Sequence, residues 1–173
     1  MLREGKAHIG PTPLRQLTRY EFENTLESVL AISLKAPYRD TITGRIEVSK
    51  IALMVPLNIP GESGFDNDAH RLGKLRPPLN ELADAANYAL AQFRKNPAAI
   101  KAVLGRANIP NNASDAEVKQ IISKFIVRAH RGHDVRLAVY TTAYHGLYQK
   151  HRQSSKDSSA SLLHVFEMIL VSP

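Results

Sequence analysis

Cysteine is absent from this chain of 173 residues. The protein therefore has no disulfides, thiolate zinc sites, cysteine-held iron–sulfur clusters or covalently attached c-type haem. Runs of about 18 apolar residues are also absent, so we predict no segment that spans a bilayer. The N-terminal stretch MLREGKAHIGPTPLRQL lacks the apolar core of a secretory signal. The chain as written is therefore expected in the cytoplasm, although the lack of cysteine suits the periplasm equally well.

Acidic residues are in the minority, with 16 Asp and Glu against 23 Lys and Arg, for a formal net charge of +7. Such a balance favours polyanions as weak partners through counterion release. The basic residues are spread along the chain, however, and the densest stretch is RAHRGHDVR at residues 128–136. This distribution is typical of a solvated basic surface, so a dedicated nucleic-acid face is not expected.

The first predicted helix begins at a capping box. Thr18 can accept a hydrogen bond from the Glu21 amide while the Glu21 side chain reaches back to the Thr18 amide. Leu17 and Phe22 stand at the positions of a hydrophobic staple across this cap, and Pro37 marks the latest residue at which the helix can end. The apolar stripe of the helix is Phe22, Leu26, Val29 and Leu30. Glu23 and Glu27 are predicted to lie on its solvated face.

Residues 38–75 have the least regular pattern and predict a long, partly buried excursion. Apolar residues alternate around Gly44, which is typical of a short hairpin: Ile42, Ile46 and Val48. In the following stretch, IALMVPLNIPGESG, Pro56 and Pro60 argue against a helix or a central strand.

Helical patterns dominate the remainder of the chain. Pro77 suits the first turn of a second helix, whose predicted apolar stripe is Leu79, Leu82, Ala83, Ala86, Leu90 and Phe93. Asn96 and Pro97 read as the N-cap and first residue of a short helix that Gly105 closes in a left-handed conformation. Ser114 and Glu117 form a second capping box, before a stripe of Val118, Ile121, Ile122, Phe125 and Ala129. Gly132 ends that fourth helix.

Two more helices complete the prediction. The fifth carries Leu137, Tyr140, Tyr144, Leu147 and Tyr148, and the sixth carries Leu162, Leu163, Phe166, Ile169 and Leu170. Between them, QSSKDSSAS at residues 153–161 is predicted as a polar linker or loop. The fold class is therefore all-α, with about six amphipathic helices in a compact bundle and the excursion between helices one and two.

Several motifs occur in the order seen in a known group of proteins. They are PLRQLTRYEFENTLESVL, GFDNDAHRL, PPLNELADAANYAL and the second-half segment from FIVRAHRGHDVR to the terminal ILVSP. This order resembles the planctomycete-type multidomain proteins in which domains of unknown function follow a cytochrome c domain. The resemblance implies a structural signature formed by Thr18, Glu21, Asn24, Gly64, Phe65, Asp66 and Asn67. It implies no catalytic residues and no cofactor for this chain.

The resemblance also suggests a division of the chain and a cellular context. Residues 1–13 form a tail, residues 14–95 a GFDN-containing helical domain, and residues 96–173 a second helical segment that packs with the first. If the chain is a fragment of such a protein, the implied location is the periplasm. It departs from the group's pattern at Arg76, where the group favours serine, and in RAHRGH, where the group has RAFRRP. The haem motif of the group is missing.

The stretch SGFDNDAH at residues 63–70 offers the most polar side chains in a short span. Asp66 and Asp68 are candidate ligands for calcium or magnesium, because hard cations prefer carboxylate oxygens. An EF-hand loop beginning at Asp66 would need glycine and glutamate where the chain has Arg71 and Pro77. The favoured interpretation is an Asx-turn in which these side chains accept from backbone amides and Phe65 enters the core.

Histidines and tyrosines provide the other candidate sites. His130 and His133 share a helical face only if the helix continues past Gly132, and metal or haem binding would draw further ligands from His145, His151 and His164. Capping or surface roles near a helix C-terminus are favoured for the first pair. Tyr140, Tyr144 and Tyr148 recur every four residues, which indicates core packing with hydroxyls at the rim more than a face for stacking sugars or bases.

No catalytic motif accompanies these candidates, so a non-catalytic helical module is the leading hypothesis. Such a module would bind a protein or glycan partner. One alternative is an enzymatic domain whose chemistry needs a missing haem or downstream segment. The other is a basic nucleic-acid-binding protein, for which the residues after Gly132 supply only Arg136 near the start of the second helix.

Overall fold

The computed structural model describes residues 17–35, 38–39, 41–42, 44, 46–47, 49–55, 79–130 and 136–172. Seven helices and one hairpin form in this part of the chain. The helices are α1 (Arg19–Leu30), α2 (Ile51–Met54), α3 (Leu79–Arg94), α4 (Pro97–Leu104), α5 (Asp115–Ala129), α6 (Leu137–Ser155) and α7 (Ser158–Leu170), and the strands are β1 (Tyr38–Arg39) and β2 (Ile46–Glu47). The predicted all-α class is confirmed.

Both predicted capping boxes are present. The Glu21 amide donates to Thr18 Oγ1 at 3.2 Å, and the Thr18 amide donates to Glu21 Oε2 at 2.9 Å. At the start of α5 the Glu117 amide donates to Ser114 Oγ at 3.3 Å, and the Ser114 amide donates to Glu117 Oε2 at 2.9 Å. Each box satisfies donors that a helix N-terminus otherwise leaves unpaired, so both helix starts are determined locally.

The predicted hairpin is confirmed, whereas the prediction against a helix after it is wrong. β1 pairs with β2 in antiparallel register, and Gly44 between them has a φ of 69°, which glycine adopts without strain. α2 then forms with Ile51 fully buried. Pro56 follows the last residue of α2 in the sequence. A proline at that position limits how far α2 can extend, and it does not prevent the first turn of the helix from forming.

The buried face of α3 differs from the predicted stripe. Its buried residues are Ala85, Ala86, Ala89, Leu90 and Phe93, whereas Leu79 is 69% exposed. Leu79 is the first residue of α3 and lies outside this buried stretch. Pro77 lies outside the described residues.

The short helix α4 begins and ends as predicted. The Asn96 side chain accepts a hydrogen bond from the Ala99 amide at 3.1 Å, and Pro97 is the first helical residue. Gly105 follows the helix with a φ of 72°, the left-handed conformation expected of a glycine at a helix end.

The serine-rich joint between α6 and α7 is not the linker that was predicted. α6 continues through Ser155 and α7 begins at Ser158, so only two residues separate the helices. Lys156 is left-handed, with a φ of 54°, and Asp157 caps α7 by accepting from the Ser159 and Ala160 amides. Composition misled the prediction because hydroxyls with partners can be buried, as Ser158, Ser159 and Ser161 are.

Two glutamates of α1 are also more enclosed than predicted. Glu23 is 5% exposed, and Glu27 accepts a hydrogen bond from the Leu34 amide at 2.7 Å. Glu27 also lies 3.8 Å from the Lys35 ammonium. Glu27 therefore stabilises the chain just after α1, and the prediction of a solvated face fails for both residues.

One apolar core includes residues from every helix. Phe125 of α5 stacks on Phe166 of α7, with ring centroids 4.0 Å apart. α7 packs against α3, α5 and α6, so it is the central helix of the second half of the chain. No helix among the described residues is long and apolar enough to cross a membrane. The central position of α7 matters for the site, because neighbouring helices flank its remaining outer face.

Candidate docking groove

Most residues of the predicted signature cannot be placed in a site. Gly64, Phe65, Asp66, Asn67 and Asp68 lie outside the described residues, as does His133. Thr18 and Glu21 form the cap of α1, and Asn24 is exposed on the same helix. The metal hypothesis for Asp66 and Asp68 therefore stays a prediction.

His130 marks the end of α5. The helix stops at Ala129, with His130 as its C-cap, and the His130 ring stacks on Tyr140 with centroids 6.4 Å apart. This position fits the capping role expected of a histidine near a helix C-terminus.

The tyrosines of α6 pack against the core. Tyr148 is 4% exposed, and its hydroxyl lies 2.8 Å from Ser158 Oγ in a buried hydrogen bond. Tyr140 and Tyr144 are partly buried against the same cluster. The core interpretation is confirmed, although the Tyr148 hydroxyl is buried with a serine and does not lie at the rim.

Two open cavities lie along the outer face of α7. One has a volume of about 630 Å³ and lies between Arg94, His151 and Ala160; the other, about 380 Å³, lies between Leu79, Tyr144 and Val171. Glu167 lines both cavities. The two cavities therefore adjoin at this residue, and the surface that they form together along α7 is here called the α7 groove.

The helical spacing of the lining residues explains the shape of the α7 groove. Positions three, four or seven apart lie on one helical face. α3 contributes Asn80, Ala83, Asn87, Ala91 and Arg94; α6 contributes Tyr144 and His151; and α7 contributes Ala160, Leu163, His164, Glu167 and Val171. α7 forms the floor, and α3 runs antiparallel to it, because Leu79 shares a cavity with Val171 while Arg94 shares one with Ala160. The groove follows the 16 residues of α3, which correspond to roughly 24 Å.

A chain of polar side chains crosses the middle of the groove. Asn87 Nδ2 donates to Glu167 Oε1 at 2.9 Å, and His164 Nδ1 lies 3.4 Å from Glu167 Oε2. An ionised carboxylate only accepts, so His164 donates its Nδ1 proton to Glu167. Glu167 is thus engaged through both oxygens, by Asn87 at one and by His164 at the other.

His151 also donates through Nδ1, for a different reason. Ser161 Oγ donates its proton to the Asp157 carbonyl at 2.6 Å, so it accepts from His151 Nδ1 at 3.1 Å. The rings of His151 and His164 stack with centroids 4.6 Å apart. Neither Nε2 has a hydrogen-bond partner within the described residues, and neither is buried from solvent. The groove therefore presents two oriented imidazoles.

Positive charge is concentrated at one end of the α7 groove. Arg94 and Lys95 are exposed there, beside the two imidazoles. Glu167 is the single carboxylate among the described lining residues. No set of three or more His, Asp or Glu side chains within the described ranges is arranged to hold a metal ion. The arrangement offers hydrogen-bond donors, acceptors and charge for binding.

Comparisons with known proteins identify no relative: no family model, curated protein or solved structure matches this chain. The resemblance to planctomycete-type cytochrome-associated proteins consequently stays a prediction.

Sequence reasoning named only part of the groove. His151 and His164 were in the pool of possible ligands, whereas Asn87, Arg94, Lys95 and Glu167 were not singled out. A signal for α3 existed, because Asn80, Asn87 and Arg94 repeat every seven residues opposite the buried alanines. That pattern is equally typical of a solvated face. Only the positions of α6 and α7 beside α3 show that this face lines a cavity.

Proposed function

We propose that this protein is a non-catalytic helical docking module that holds a segment of a partner protein in the α7 groove. The observation that carries this proposal is the pair of open cavities that adjoin at Glu167 along the outer face of α7. A groove of roughly 24 Å has the length of about seven extended residues. Docking of a partner segment between helices is a common use of such a surface.

Exposed apolar side chains support docking over simple solvation. Leu79 is 69% exposed and Met168 is 38% exposed, and both line the smaller cavity. Large apolar groups clustered at a concave surface mark interaction sites more often than isolated ones do. The floor of the larger cavity adds Leu90, Ala91 and Leu163.

The burial and hydrogen bonding of the Ser161 hydroxyl, which contacts His151, favour binding over catalysis. Ser161 Oγ contacts His151, but Ser161 is fully buried and donates its proton to the Asp157 carbonyl. An activated nucleophile needs access to substrate and a base that removes its proton. Here His151 donates to the serine, which is the opposite polarity.

The wider context that we propose is the exported, cytochrome-associated protein family suggested by the GFDN and ILVSP motifs. In that context the docked segment belongs to a neighbouring protein of the same assembly. The gene neighbourhood tests this part: a cytochrome reading frame beside this gene supports the relationship, and its consistent absence from the neighbourhoods of close homologues contradicts it.

Selection of binding peptides tests the docking function directly. A phage library of random 16-residue peptides is long enough to span the groove even as a helix, and it is selected on the wild-type protein. The selected peptides are then measured against two matched variants. Ala91→Trp fills the groove, whereas Ala102→Trp places the same side chain on an exposed alanine of α4 outside it.

We expect the selected peptides to bind wild type and Ala102→Trp equally and to bind Ala91→Trp at least about tenfold more weakly, a loss of about 1.4 kcal/mol. Thermal melts establish that both variants fold. Peptides that bind both tryptophan variants alike would use another surface and would refute the proposal, as would a selection that enriches none. Tighter, salt-dependent binding to double-stranded DNA would favour the nucleic-acid alternative.

A further inference from the structure

The two ends of the α7 groove differ in chemistry. The smaller cavity has the apolar residues Leu79, Ala83, Tyr144, Met168 and Val171, beside Asn80 and Ser172, and is here called the apolar end. The larger cavity has the cations Arg94 and Lys95 beside His151 and His164, and is here called the basic end. A partner segment that uses the whole groove therefore meets an apolar surface at one end and positive charge at the other.

The described residues that line the larger cavity include two cations, Arg94 and Lys95, and one carboxylate, Glu167. Glu167 lies at the junction of the two cavities and is engaged by Asn87 and His164. Among the described residues that line the larger cavity together with Arg94 and Lys95, the engaged Glu167 is the only carboxylate. The basic end thus offers guanidinium and ammonium donors to an incoming anion.

We infer that the groove selects an acidic segment in one direction, with carboxylates at Arg94 and Lys95 and a large apolar side chain between Leu79 and Met168. This inference rests on the proposed docking function and adds the chemistry and polarity of the occupant. Complementary charge specifies the partner and its register more than it adds affinity, while the apolar end contributes buried area.

The length of α3 sets the spacing between the two anchors. Leu79 and Arg94 are the first and last residues of the helix, so the ends lie roughly 22 Å apart. An extended segment covers that distance in about seven residues, and a helical one in about fifteen. A nucleic acid fits the described surface less well, because its phosphates repeat along its whole length, whereas the described lining residues of the apolar end include no cation.

A pair of synthetic peptides tests the direction. Both contain an Asp-Glu pair and a Phe-Leu pair separated by a Gly-Ser spacer, which is varied from two to twelve residues. One series begins with the acidic pair and the other with the apolar pair. Fluorescence anisotropy measures binding to the purified full chain. We expect one order to bind at least about tenfold more tightly than the other, with an optimum at one spacer length.

Charge reversal tests the chemistry of the basic end. Arg94→Glu/Lys95→Glu is compared with Lys101→Glu/Lys119→Glu, which changes the net charge equally at exposed lysines outside the groove. We expect the first variant to lose at least about tenfold in affinity and the second less than about threefold. A peptide with Lys-Lys in place of Asp-Glu should recover binding to the first variant only.

Truncation of the apolar end completes the test. Leu79→Ala/Met168→Ala is compared with Val127→Ala/Val139→Ala, which removes exposed apolar side chains outside the groove. We expect only the first pair to weaken binding, by at least about tenfold.

The outcomes separate this inference from the docking function. Two results would overturn the inference and leave the docking function intact. In the first, the peptides that are sensitive to Ala91→Trp are not acidic. In the second, the peptides that are sensitive to Ala91→Trp bind Arg94→Glu/Lys95→Glu as well as they bind the wild type. Equal binding of both peptide orders also overturns it. Peptides insensitive to Ala91→Trp would remove the docking function and the inference together.

Discussion

Arg128 donates a hydrogen bond through Nε to the Val29 carbonyl at 2.6 Å. Its Nη2 donates to the Ser28 carbonyl at 2.9 Å, so one guanidinium from α5 binds two of the last carbonyls of α1. Carbonyls in the last turn of a helix have no partner within the helix, and the helix dipole favours a cation there. This contact joins two helices that are about a hundred residues apart in the chain.

Replacement of Arg128 should therefore destabilise the fold. We expect Arg128→Ala to lower the free energy of unfolding by about 1–2 kcal/mol, because two charge-assisted hydrogen bonds are lost. Arg128→Lys should recover less than half of that loss, since an ammonium lacks the planar fork. Urea denaturation measures both. Lys124→Ala on an exposed position of the same helix is the control, and equal losses for Arg128→Ala and Lys124→Ala would refute the role.

The buried pair Tyr148 and Ser158 should show strong coupling. We expect Ser158→Ala to cost about 1–3 kcal/mol, because it leaves the buried Tyr148 hydroxyl without its partner. The double variant Tyr148→Phe/Ser158→Ala should cost less than the sum of the single variants, since both polar groups are removed together. A double-mutant cycle in urea measures the coupling, and strict additivity would show that the hydrogen bond does not form in solution.

The aromatic stack between Phe125 and Phe166 should be the most sensitive part of the core. Both rings are almost fully buried, so Phe166→Ala removes apolar contacts and leaves a cavity. We expect a loss of about 3–5 kcal/mol in thermal or chemical denaturation. Phe166→Leu keeps most of the volume and should cost less than half as much. If the two variants melt at the same temperature, the ring does not fill the core as the structure has it.

Acid should weaken the start of α5. Hydrogen bonds from the Ser114 backbone, and then from its side chain, hold the pKa of Glu117 below its ordinary value. A lowered carboxyl pKa contributes stability above the unfolded pKa of about 4.3, and that contribution is lost as the pH falls through the folded pKa. NMR titration should show that Ser114→Ala raises the Glu117 pKa. Glu117→Gln should flatten the acid limb of the stability profile, and an unchanged acid limb would contradict this account.

Local chemistry explains which features could be predicted from the sequence. The caps at Thr18 and Ser114 depend on residues three apart, and the left-handed glycine at Gly105 depends on one residue, so short patterns are sufficient. The burial of Ser161 and Glu23 depends on neighbours that composition does not reveal. The α7 groove was not predicted for a similar reason: its lining residues come from three helices, and only the packing of those helices turns them into one surface.

Asn87 offers a final test, because it lies beside the Glu167 carboxylate at the centre of the groove. Asn87→Asp would place a second carboxylate where the amide now donates to Glu167 at 2.9 Å. Two adjacent like charges should repel an acidic segment, so we expect peptides selected on the wild type to bind about fivefold more weakly, or about 1 kcal/mol. Asn87→Ala removes the hydrogen bond without adding charge and should change peptide affinity less. Anisotropy titrations in low and high salt separate the two effects, since only the Asn87→Asp defect should shrink as salt screens the repulsion. A defect of equal size in both variants would mean that Asn87 acts by shape, and that charge at the centre of the groove does not select the partner.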